Sequence, residues 1–121
     1  MSLGTWILVG LLGGAGAVAR FVVDGLVDER AGGALPWGTL AVNLSGAVAL
    51  GVLAGAAVTG TTSVLAGTAA LGSYTTLSTW MLESHRLGQD ERAAFALANL
   101  LGSLLLGFAA MAAGHALGAA L

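Results

Sequence analysis

Long apolar runs alternate with short polar interruptions along the chain, and the run lengths set the expected architecture. Apolar residues dominate 3–23, 37–58, 63–85 and 93–120. Each run approaches or exceeds the ~20 residues that an α-helix needs to cross a ~30 Å hydrocarbon core. The pattern therefore predicts an all-α membrane protein of four transmembrane helices, a single domain over 1–121. The stretch from Asp24 to Pro36, with Asp28-Glu29-Arg30 and Gly32-Gly33, reads as a polar loop. Pro36 stands just ahead of the second run, where a missing backbone N–H is harmless. Thr59-Gly60-Thr61-Thr62 makes a short uncharged connection, and Arg86 to Arg92 a charged one.

The third run breaks the pattern from inside. Gly72-Ser73-Tyr74-Thr75-Thr76-Leu77-Ser78-Thr79 crowds hydroxylated side chains into what should be a membrane helix. Thr75 falls near mid-depth at ~1.5 Å per residue. Two β-branched threonines shortly after a glycine weaken a helix there. A helix break at that depth survives only where it is buried in protein or lines a wet cavity. Freed carbonyls at such a break suit a cation, and exposed amides at the start of a half-helix suit an anion. The alternative is that the hydroxyls bond back to the preceding turn of an unbroken helix.

Two more polar stripes point inward. Thr39 and Asn43 are four apart on the second run, with Gly46 and Ala47 continuing their face. Asn99 and Ser103 are four apart on the fourth, between Phe95 and Gly107. An asparagine is costly in lipid and should face a partner helix or a pore. Gly10/Gly14, Gly51/Gly55 and Gly114/Gly118 have the small-residue spacing that lets membrane helices approach closely.

Composition narrows the function classes. Hydrophobic residues are 57% of the chain and charged residues 8%, against roughly 25% charged in a soluble domain. No soluble fold of this size hides that much apolar surface, because small domains bury only ~60–70% of theirs. The absence of cysteine removes disulfides and thiolate metal sites. A net charge of −2 with no lysine argues against nucleic acid and a polybasic anchor. Ala15-Gly16-Ala17 could mimic a signal-peptidase site, but no basic residue precedes it, so the first run reads as a retained helix. His85 and His115 are isolated near run ends, without metal-ligand spacing. Nothing in the sequence reads as an enzyme.

Three strings, taken in order, resemble the Fluc (CrcB) family of fluoride channels. Gly13-Gly14-Ala15-Gly16-Ala17-Val18-Ala19-Arg20 is similar to its first-helix signature. Pro36-Trp37-Gly38-Thr39-Leu40-Ala41-Val42-Asn43-Leu44-Ser45-Gly46 is similar to the second-helix motif, whose asparagine borders the pore. Thr75-Thr76-Leu77-Ser78-Thr79-Trp80, with Glu83 three residues on, is similar to the third-helix motif.

The resemblance implies an antiparallel dual-topology dimer in the cell membrane, with two fluoride pores and a structural sodium ion at its centre. Backbone carbonyls of Gly72 and Thr75 would hold the sodium. Thr39, Asn43, Thr76, Leu77, Ser78, Thr79, Trp80, Asn99 and Ser103 would line the pores. Arg20 and Glu83 would sit nearer the vestibules. Fluoride enters cells as hydrofluoric acid and is trapped as the anion at neutral pH, so a passive channel would export it down its gradient. Neutral donors suit such a pore, because binding must be weak enough to release the ion.

This chain departs from the family where phenylalanine is usual, at Leu77 and Trp80, and has Phe95 where tyrosine is common. Leucine lacks the electropositive ring edge that could greet an anion. Arg20, Arg30, Arg86 and Arg92 all fall on one predicted side. That bias favours a fixed orientation and admits a pair of non-identical subunits beside the homodimer. A small multidrug-resistance-type proton-coupled exporter is the other four-helix alternative. It requires an embedded carboxylate, whereas the predicted first helix carries Arg20 and no acid. An assembly subunit of a larger complex would explain the glycine faces but not the polar third run.

Overall fold

A computed structural model describes residues 1–33 and 35–121. Among the described residues the chain is helical with short connections, and three helices are long and apolar enough to cross a membrane: α1 (Leu3–Ala31), α2 (Trp37–Gly55) and α6 (Ala93–Ala119). Between α2 and α6 lies a segmented helical run. It comprises a short turn α3 (Gly60–Thr62), a π-helical segment (Ser63–Leu71), α4 (Gly72–Tyr74) and α5 (Leu77–Gln89).

The first helix is longer than the 3–23 expected, and the reason lies in what ends a helix. Hydropathy falls after Val23, but no residue breaks the backbone until Gly32, which adopts φ 61° and donates its N–H to the Asp28 carbonyl. The segment read as a polar loop is therefore mostly two further turns of α1. Those turns serve α2. Pro36 offers no side-chain cap to the start of α2, and Asp28 Oδ1 accepts from the Gly38 N–H at 2.8 Å instead. A carboxylate at a helix N-terminus satisfies an orphan donor and complements the helix dipole. Gly38 is required here, because a Cβ would collide with the backbone and side chain of Asp24. Asp24 Oδ1 is buried in that contact without a hydrogen-bond partner among the described residues.

The second helix stops at Gly55 rather than at 58. Val58 N–H reaches the Leu53 carbonyl and Ala57 N–H the Ala54 carbonyl, the paired bonds of a Schellman ending. Ala57 takes the left-handed position at φ 56°, where glycine is usual. α5 also ends on a left-handed residue: Arg92 N–H bonds Leu87 O, and Glu91 has φ 58°.

Small residues set the packing. A Cβ on Gly51 or Gly55 would strike the α6 backbone near Met111 and His115. A Cβ on Gly114 or Gly118 would strike α2 at Val48 and Val52. These two pairs interlock, so α2 and α6 lie backbone to backbone, the close approach that such spacing allows. Gly10 and Gly14 behave differently, with nothing within 4 Å of either added Cβ. The first helix instead packs through Gly13 and Gly16 on Ser73, Ala69 and Ala70. Large apolar side chains such as Phe21 (80% exposed), Leu105 and Phe108 point outward, as expected where the solvent is lipid.

Candidate functional site

The site is built around an interruption of the third helical run. α4 ends at Tyr74, and Thr75 and Thr76 are extended (φ −78°, ψ 157° and φ −146°, ψ 123°) before α5 begins at Leu77. Upstream, nine π-helical residues replace the α-helix expected over 63–71. π segments are rare and cluster at functional sites. No periodicity in the sequence announces this one, since only Ser63 and Thr68 interrupt its apolar residues.

Asn43 holds the interruption open. Its Oδ1 accepts from the Thr76 N–H and its Nδ2 donates to the Thr76 carbonyl, both at 2.8 Å. One carboxamide thus replaces two bonds that an unbroken helix would have made. Thr76 in turn caps α5, its Oγ1 accepting from the Thr79 N–H at 3.2 Å and donating to Thr79 Oγ1 at 3.1 Å. Thr76 is largely buried, at 9% exposed. Ser78 Oγ lies 3.4 Å from the same hydroxyl. On the upstream side Tyr74 Oη pairs with Ser45 Oγ at 2.9 Å, and Gly46 admits the Thr75 methyl. The face of α2 carrying Asn43, Ser45 and Gly46 therefore grips the interruption from both ends.

The diverted amides have a consequence for two carbonyls. In an α-helix the Thr76 N–H would reach Gly72 O and the Thr79 N–H would reach Thr75 O. Here those donors go to Asn43 Oδ1 and Thr76 Oγ1. Gly72 and Thr75 are left without their helical donors, on a part-exposed surface of the chain.

Two open grooves adjoin the start of α5, and a third lies between α2 and α6. One of about 240 Å³ is lined by Thr75, Thr76, Leu77 and Trp80 with Asn43 and Ala47. A second of about 290 Å³ shares Asn43 and Trp80 and continues to Ser103, Gly107 and Phe108. A third of about 210 Å³ shares Ser103 and continues past Asn99 and Gly102 to Trp37. Shared linings place the three in sequence along α2, α5 and α6. Asn43 of the α2 stripe and Ser103 of the α6 stripe thus line grooves beside the polar third run.

Other residues point elsewhere. Thr39, nearly fully buried at 2% exposed, donates its hydroxyl to Glu83 Oε1. Glu83 also borders an open groove of about 380 Å³ with Asp28, Arg86, Asp90, Gly32 and Gly33. Arg20 is half-buried on α1 and lines none of these grooves. Asn99 turns its Nδ2 to Ser84 Oγ at 2.8 Å, and Phe95 lies exposed on α6. No metal cluster of histidine or acidic side chains occurs among the described residues.

A family model described as "CrcB-like protein, Camphor Resistance (CrcB)" matches residues 7–115. The chain belongs to the CrcB family. Membership agrees with the ordered motifs of the sequence, and with its three apolar helices the chain is a multi-pass protein of the cell membrane. Among similar CrcB-family relatives, a protein of Mycolicibacterium paratuberculosis named "Fluoride-specific ion channel FluC 2" is 54% identical over 112 residues, covering 93% of this chain and 92% of its own. A Mycobacterium tuberculosis protein of the same name is 49% identical, covering 95% and 91%. "Fluoride-specific ion channel FluC 1" of Symbiobacterium thermophilum is 46% identical, covering 94% and 97%.

Sequence reasoning missed several residues of this CrcB site. Asp28 was read as part of a loop, although a second helix opening on Pro36 without a capping side chain leaves room for a borrowed cap. Ser45 and Tyr74 gave no signal, since their pairing depends on the tertiary contact between α2 and α4. Ser84 was overlooked despite lying four residues after Trp80, one helical turn away.

Proposed function

We propose that the chain forms a passive fluoride-selective anion channel that lets cytoplasmic fluoride leave the cell. The observation carrying this reading is near-full-length similarity, at 54% identity, to a relative named as a fluoride-specific ion channel. The site chemistry fits. The grooves along α2, α5 and α6 are lined by neutral side chains rather than a charged well, so a bound anion can leave. The start of α5 also aims the positive end of a helix dipole, and first-turn amides without intrahelical acceptors, at the groove by Leu77.

In this reading the third helical run is the fourth membrane span. The upstream half, 60–74, and α5 are each about 20 Å long at ~1.5 Å per residue, so their junction at Thr75–Thr76 falls near mid-membrane. Thr76, Ser78 and Thr79 hydroxyls, Ser103, and the walls at Leu77 and Trp80 form the pore, with Asn43 and Asn99 holding its frame. Thr39 and Glu83 stand toward the groove at the charged end, and Arg20 lies off the path.

The carbonyls of Gly72 and Thr75 fit a structural sodium ion. Hard cations prefer oxygen ligands, and these two have lost their helical donors. Two oxygens are too few to enclose a cation, so a second subunit would supply the rest. An antiparallel dimer does this with both interruptions at its centre. It also closes the grooves that one chain leaves open, giving two pores. The sodium would neutralise converging carbonyl dipoles; the chain's own part is to keep those carbonyls out of the helix.

A second reading pairs this chain with a non-identical, oppositely inserted homologue. Three of the four arginines support it, since Arg30 and Arg86 lie in the last turns of α1 and α5 and Arg92 at the start of α6. Expression of this chain alone in a fluoride-sensitive bacterium lacking its own exporter tests both readings. Restored growth in fluoride supports the homodimer, and rescue only with a co-expressed homologue supports the pair. No rescue in either case, with the protein present in the membrane, refutes the channel.

A further inference from the structure

Trp80 is the aromatic residue shared by two of the three grooves, and its indole carries the strongest ring donor there. That donor is occupied. Nε1–H donates to the Asn99 backbone carbonyl at 3.1 Å. One turn along α5, Ser84 Oγ donates to the Trp80 carbonyl at 2.8 Å. The same hydroxyl accepts from Asn99 Nδ2 at 2.8 Å, while Asn99 Oδ1 faces Ser103 Oγ at 3.4 Å. Ser84 and Asn99 are 5% and 7% exposed. Trp80 is thus tied to Asn99 twice, once through its ring and once through Ser84.

We infer that Ser84 is a positioning residue which, with Asn99, turns the Trp80 indole N–H away from the anion path. This rests on the channel reading above. A hydrogen bond to a charged partner changes affinity by roughly ten- to a hundredfold. An N–H offered to a partly dehydrated fluoride would hold the ion and slow its release, whereas conduction needs weak, easily left sites. With the N–H committed to a carbonyl, Trp80 presents only carbon-bound hydrogens of its electropositive edge. A tryptophan then behaves toward the anion as a phenylalanine would. Ser84 matters because α5 and α6 must hold a fixed register for Nε1 to meet the Asn99 carbonyl. Without its hydroxyl, Asn99 Nδ2 loses its acceptor and the register relaxes.

The test combines a spectroscopic signal with flux. In ¹⁵N-labelled protein the Trp80 indole resonance, assigned by its loss in Trp80→Phe, is expected to exchange slowly with water and to stay unmoved by fluoride. In Ser84→Ala it should exchange faster and shift on fluoride titration. Fluoride efflux of Ser84→Ala should fall roughly tenfold, whereas in a Trp80→Phe background, whatever the rate of that variant, adding Ser84→Ala should change efflux little. An indole signal unchanged in Ser84→Ala overturns the inference. So does an equal flux loss in the Trp80→Phe background, which would mark Ser84 as a packing residue only. A wild-type indole that titrates with fluoride overturns it as well. Absence of fluoride flux from wild-type protein whose indole is protected, and is released by Ser84→Ala, refutes the channel reading while leaving the Ser84 lock in place.

Discussion

Replacing Asn43 by alanine removes a single side chain but strands two backbone groups. Its carboxamide makes two 2.8 Å bonds, to the N–H and the carbonyl of Thr76. A buried donor or acceptor left unsatisfied costs about 1–3 kcal/mol, so the pair is worth roughly 2–6 kcal/mol if nothing replaces it. Thr76 is largely buried, which leaves little water to help. The chain has one escape: the Thr76 N–H can fall back to Gly72 O and heal the helix. That route leaves only the Thr76 carbonyl unsatisfied and lowers the cost to about 1–3 kcal/mol, but it removes the interruption and occupies a carbonyl assigned to sodium. Asn43→Ala should therefore lower the melting temperature in detergent by on the order of 10 °C and reduce fluoride efflux together. Asn43→Asp keeps the acceptor for the Thr76 N–H but sets an oxygen against the Thr76 carbonyl, so it should not rescue. Native melting temperature and native flux in Asn43→Ala would refute the clamp and the groove assignment at once.

Ala57→Gly should stabilise the fold by about 1 kcal/mol, because φ 56° is strained for alanine and free for glycine; thermal unfolding checks it. Gly51→Ala or Gly114→Ala should destabilise by roughly 1–3 kcal/mol through collision with the facing helix backbone. Gly14→Ala should leave the fold of the single chain intact, having open space around it. If that variant folds but elutes as a monomer in gel filtration, a second chain covers the α1 face. Exchange of sodium for a large organic cation should weaken the dimer in the wild type, seen as a shift toward monomer at low protein concentration. An assembly indifferent to sodium would contradict the carbonyl site.

The fold was legible where lipid solvation dominates. Apolar runs gave the three long helices, and small-residue spacing marked faces able to pack closely without naming their partner. Boundaries were less legible, since α1 outlasts its apolar stretch to reach the start of α2. That extension carries Asp28 to Gly38, a contact across the turn that hydropathy alone does not show. The third run shows the same division. Its crowded hydroxyls marked an unusual helix, but the π segment upstream, with only Ser63 and Thr68 among apolar residues, has no pattern that announces it. The role of Asn43 was half legible: its polarity demanded a partner, while the identity of that partner, a single peptide unit of Thr76, came only from tertiary packing. The indole of Trp80 could not be placed from sequence, because its acceptor is a backbone atom that any residue at 99 would supply.

The most direct test is fluoride efflux from liposomes containing the purified chain, read with a fluoride electrode and repeated with chloride. Rapid release of fluoride with no matching release of chloride is the predicted result. If the folded protein proves silent alone, co-reconstitution with an oppositely inserted homologue is predicted to restore the fluoride current. Folded, membrane-inserted protein that releases no fluoride in either preparation, or that passes chloride equally well, would contradict the account.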